Sequence, residues 1–78
     1  MKNDLLFLLN ELIDHQKKTL YDSARTIIPN VTEDDLLQPN DFSDLEFHPH
    51  FRYEEGLLHG LQVAQAAILR LLNEKSVP

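Results

Sequence analysis

Cysteine is absent from the chain, and so is tryptophan. Without thiols there is no disulfide and no thiolate metal site, two devices that often help a chain as short as 78 residues hold a small core together. Glycine is scarce as well: Gly56 and Gly60 are the only two, and both fall inside an apolar-periodic segment. No glycine-rich loop is therefore available to cradle a phosphate. Positive charge is thin, with seven Lys and Arg against thirteen Asp and Glu and a formal net charge of −6. That balance argues against nucleic acid as a partner, because affinity for a phosphate backbone comes from clustered Lys and Arg. Long apolar runs are missing too. Leu5 to Leu9 is bracketed by Asp4, Asn10 and Glu11 with no small-residue cleavage site after it. No stretch approaches the roughly 20 apolar residues that cross a bilayer. The expectation is a cytoplasmic protein with no membrane partner.

What remains is a composition that folds. Hydrophobic residues make up 42% and charged ones 26%, which fits a globular chain rather than a disordered one. The length allows a single domain, residues 1–78. Such a domain buries only about 60% of its unfolded surface, so its core is small.

The spacing predicts a helix over residues 4–28. Asn3 can cap it and Asp4 suits the positive end of its dipole. Leu6, Ile13, Leu20 and Ile27 recur every seven residues, with Leu9, Gln16 and Ala24 filling the seam between them. Pro29 ends the helix, since the residue before a proline is pushed out of the helical region. A second helix is predicted over 49–73, opened by Pro49 at a position where its missing N–H costs nothing. Its buried face reads as Tyr53, Leu57, Leu61, Ala64, Ile68 and Leu71, with Arg52, Glu55, His59 and Gln62 in water. Residues 29–48 connect the two. Thr32 and Asp35 have the spacing of a capping box, so a short helical turn is expected near 33–37, with Pro39-Asn40-Asp41 as turn chemistry. The fold class is all-α: an antiparallel two-helix hairpin with a long, partly helical connector. Small bacterial helical-hairpin proteins without assigned activity have a similar architecture, a likeness that implies no function.

Two features ask for something beyond the hairpin. Gly56, Gly60 and Ala64 lie four apart on one stripe, and glycine in a helix costs about 1 kcal/mol against alanine. Close packing of another helix backbone is the expected return. In addition, Leu5 to Leu9 is apolar on every side, as is the far end of the second helix. In a hairpin both segments sit at the open end, leaving more apolar surface than a monomer normally shows. The expected cover is a second copy, completing a dimeric four-helix bundle. Its interface is expected at Leu5, Leu6, Leu8, Leu9, Leu12, Ile68, Leu69 and Leu72.

Residues 47–56, FHPHFRYEEG, are the one stretch that resembles chemistry. His48, His50 and Glu54 are metal-ligand candidates, although Glu-x-x-His is the spacing di-metal bundles use and is not what occurs here. The simpler reading is the start of a helix, with Glu54 and Glu55 complementing its dipole. Ser23, Ser43 and Ser76 sit in no nucleophile-elbow pattern, and no pocket is evident. No cofactor and no enzymatic activity are expected. Residues 33–55 hold eight of the thirteen acids and four of the six aromatics, with Arg52 the only basic residue. Phe42, Asp44, Glu46 and Phe47 could form a docking surface for a basic protein or peptide. Alternatively, Phe42, Phe47, Phe51 and Tyr53 all turn inward, which is the plainer expectation. The leading functional reading is a small acidic, non-catalytic interaction module that pairs with itself. Its rivals are a metal-binding helical protein and an acidic mimic that inhibits a basic partner.

Overall fold

A computed structural model describes residues 2–76, with side chains from Asp4 to Glu74. The Asn3 cap lies outside those side chains. Helix dominates and no strand occurs among the described residues, so the fold is all-α. Helix α1 spans Lys2–Ile27, α2 is a short turn at Ser43–Glu46, and α3 spans Pro49–Ser76. Two 3-10 turns, Asp34–Leu37 and Pro39–Asp41, lie between α1 and α2.

Helix α1 ends one residue earlier than expected, at Ile27, because Pro29 already restricts Ile28. Thr32 and Asp35 exchange reciprocal bonds: the Thr32 N–H donates to the Asp35 carboxylate at 2.9 Å, and the Asp35 N–H to the Thr32 hydroxyl at 3.3 Å. Pro39 does not simply close that turn. It opens the next one, at a first helical position where a proline fits.

The two long helices pack antiparallel, as two polar cross-links show. Gln16 Nε2 donates both to the Glu54 carbonyl at 3.0 Å and to its carboxylate at 2.6 Å. Six residues back along α1, Asn10 Oδ1 accepts from Gln65 Nε2 at 2.6 Å, eleven residues further along α3. Each pair fixes the lengthwise register that leucines alone would leave loose, since apolar contacts carry no direction. Leu9, Ile13, Gln16, Leu20 and Ala24 are buried, which is the seam expected of α1.

The buried face of α3 is not the expected one. Phe51 and Leu58 are buried, and Glu54, Glu55, Leu61, Gln62, Gln65, Ile68 and Leu72 are half-buried, whereas Tyr53, Leu57, Ala64 and Leu71 are exposed. The helix turns the stripe of Phe51 and Leu58 toward α1, and Glu54 and Gln65 beside it meet Gln16 and Asn10 there.

Leu45 of α2 and Phe51 are fully buried, and with Ile13, Leu20, Ala24, Val31 and Leu58 they form the core beneath the connector. That core sits at one end. The molecule measures 50 × 20 × 19 Å, with a radius of gyration of 15.3 Å, against about 11.5 Å for a compact chain of this length. It exposes 5848 Å², roughly 950 Å² more than a compact monomer of 9.1 kDa.

Ser23 is buried in α1 with its hydroxyl unpartnered. Ser23→Ala removes that burden and substitutes a better helix former. It is expected to raise stability by about 1 kcal/mol, measured as a higher urea midpoint at unchanged slope.

Candidate functional site

Arg52, with three acceptors, ties the connector to α3. Arg52 donates Nε to the Glu46 carbonyl at 2.8 Å, Nη1 to the Glu55 carboxylate at 2.6 Å and Nη2 to Asn40 Oδ1 at 2.7 Å. The planar guanidinium suits this task, because its donors point in three fixed directions. Arg52 and Glu55, placed in water by periodicity, are instead half-buried. They line an open cleft of about 900 Å³, whose walls also include Lys17, Tyr21, Leu36 and His59. Periodicity gave no sign of this cleft. It arises where the 3-10 turns stand off the helix pair.

His48 has a local task. Its Nδ1 accepts the Phe51 N–H at 3.3 Å, so the imidazole caps the first turn of α3. Histidine is outside the usual set of capping residues, and composition gave no signal for it. His48→Ala is expected to cost about 0.5–1 kcal/mol. His48→Asn should restore most of that loss, and thermal melts of the two variants check the pair.

The metal candidates do not converge. The rings of His48 and His50 meet edge to face with centroids 6.5 Å apart. The Glu54 carboxylate accepts from Gln16 on α1, and His50 is exposed. Among the described residues no three His, Asp or Glu side chains come together as a metal set. Glu54 and Glu55 also lie beyond the first turn of α3, where the dipole effect has faded. Their contacts are tertiary and ionic: Glu54 with Gln16, Glu55 with Arg52.

The four aromatics of residues 33–55 divide, and the expectation that all turn inward is corrected. Phe51 is fully buried and Phe42 packs against the core, while Phe47 and Tyr53 are 76% and 63% exposed. Beside Phe47, Asp44 is exposed and Glu46 is half-buried. Phe51 takes the inward place because it lies on the α3 stripe that meets α1, as Phe47 and Tyr53 do not.

At the open end the expected interface splits as well. Leu9 is buried within the chain, and Leu6, Ile68 and Leu72 are half-buried. Leu5, Leu8, Leu12 and Leu69 remain exposed at 41–55%. The glycine stripe serves no contact inside one chain: a Cβ added at Gly56 or Gly60 would meet nothing within 4 Å, and Ala64 is exposed. Within one chain no helix makes that close approach, since α3 turns a different stripe toward α1. No described helix is long and apolar enough to cross a membrane.

No family model matches the chain, and no curated protein and no solved structure is similar to it.

Proposed function

We propose that this chain is a non-catalytic helical module that acts through protein contacts and pairs with a copy of itself, two hairpins completing a four-helix bundle. The observation that supports this is apolar surface left open along both long helices, with Leu8 and Leu71 half exposed or more and Leu5, Leu12 and Leu57 above 40%. A twofold dimer is the commonest arrangement that covers such a surface. Static light scattering over a hundredfold range of concentration tests it. The expected result is a mass twice 9.1 kDa, with a melting temperature that rises with concentration, as mass action requires. A mass of one chain throughout, with a constant melting temperature, defeats the reading.

A second reading rests on Phe47. An aromatic ring 76% exposed beside the free carboxylate of Asp44 suits a basic peptide that brings an apolar side chain next to Lys or Arg. Titration with a lysine-rich amphipathic peptide at two salt concentrations tests it. Salt-sensitive binding lost in Phe47→Ser supports docking at this site, and binding that survives Phe47→Ser rejects it.

A further inference from the structure

We propose that the second copy seats on one flank of the helix pair, the flank opposite the connector, with the two α3 helices crossing at Gly60 and Ala64. This rests on the pairing reading above and adds where the copies meet.

Helix α3 meets α1 through Phe51, Leu58, Gln65 and Leu72, a stripe of seven-residue period. Roughly 90–150° round the helix, at about 100° per residue, runs a second stripe: Tyr53, Leu57, Gly60, Ala64 and Leu71. All five are exposed. Helix α1 repeats the arrangement. Leu9, Ile13 and Leu20 face inward, and a comparable rotation in the same sense leads to Leu5, Leu8 and Leu12, all exposed. Because α1 and α3 run antiparallel and both are right-handed, the same rotation from the shared seam brings both stripes to one side of the pair. The opposite rotation leads to Tyr21 on α1 and to Arg52 and His59 on α3, and these line the cleft beside the 3-10 turns. The connector therefore shelters one flank, and the other is bare and apolar from Leu5 across to Tyr53.

A copy of the chain is the occupant that fits. Each copy carries a net charge of −6, so two copies repel wherever their acidic surfaces meet. The stripes on the bare flank, from Leu5 to Leu12 and from Tyr53 to Leu71, contain no acidic or basic residue at the positions named. A basic partner would favour the acidic connector instead. Area agrees: the roughly 950 Å² of exposure beyond a compact monomer compares with about 800 Å² covered per partner in a standard interface. Gly60 and Ala64 lie within the flank, and with nothing inside the chain near the Gly60 Cβ position, that glycine weakens α3 without a contact in the single chain. A second backbone crossing there supplies the contact.

The glycine gives a test with opposite signs. Gly60→Leu, measured dilute enough to be a single chain, is expected to melt higher than the native sequence, because leucine is the better helix former and has open space. Its dimer dissociation constant is expected to rise about tenfold or more, since leucine overfills the crossing. Absence of native cysteine makes a second variant clean. Ala64→Cys is expected to form a covalent dimer under mild oxidation, whereas His59→Cys, on the connector flank, stays single. If scattering shows dimers but Gly60→Leu pairs as tightly as the native chain and Ala64→Cys does not link, the flank is wrong and pairing itself stands. If the chain is single at every concentration, both fall together.

Discussion

Replacing Phe51 by alanine is expected to abolish or nearly abolish cooperative unfolding. The ring is fully buried beneath the connector, with Leu45 as the other fully buried large side chain. Truncating a buried phenylalanine costs about 3–5 kcal/mol through lost transfer energy and the void left behind. A domain of this size holds only roughly 4–12 kcal/mol in total. The variant should therefore melt at least about 12 °C lower, at 4–8 °C per kcal/mol for a domain of this size, or show no sigmoidal melt. Circular dichroism during heating reads the effect directly.

Phe47→Ala supplies the contrast, since Phe47 is 76% exposed and four residues away. Its change should stay within about 0.5 kcal/mol, as for most surface substitutions. Equal losses in the two variants would mean that Phe47 is also core, and the docking reading built on its exposed ring would go with it. Leu45→Ala lies between these cases in size but belongs with Phe51 in kind, at about 2–5 kcal/mol.

How much of this was legible in the sequence differs by element, for physical reasons. From Ile13 onward one stripe of α1 is apolar and the opposite face is charged, so periodicity identifies the seam, including Gln16. In α3 two stripes compete. The packed one carries Phe51, Leu58, Leu61, Ile68 and Leu72 together with Glu54, Gln62 and Gln65, while the other, through Tyr53, Leu57 and Leu71, is left exposed. Hydrophobic period ranks stripes by oiliness and carries no information about polar partners such as Asn10 and Gln16 on another helix. The Thr32–Asp35 pair was readable because it is local, three residues apart. Arg52 was not, because its acceptors Asn40 and Glu46 reach it only through the path of the connector. The cleft beside it was hidden for the same reason.

That path makes Arg52→Ala the second large effect expected. Its loss leaves the Glu46 carbonyl and Asn40 without their donor and the Glu55 carboxylate, 16% exposed, without its cation. A hydrogen bond to a charged group contributes about 1.5–3 kcal/mol, but these three share one side chain that is itself 34% exposed. Solvent screening discounts their sum, so a loss of about 2 kcal/mol is expected. The more telling measurement is hydrogen exchange. The N–H groups of Gln38, Asp41 and Phe42 are bonded within the 3-10 turns that Arg52 ties down. They should exchange much faster in the variant, while those in the middle of α1 and α3 slow or quicken only with global stability. Arg52→Lys should behave almost like alanine, because a single ammonium cannot meet acceptors on three separate segments in the fixed fork of a guanidinium. Uniform loss of protection through the whole chain would show that connector and helix pair open as one unit, and that Arg52 does not hold the connector separately.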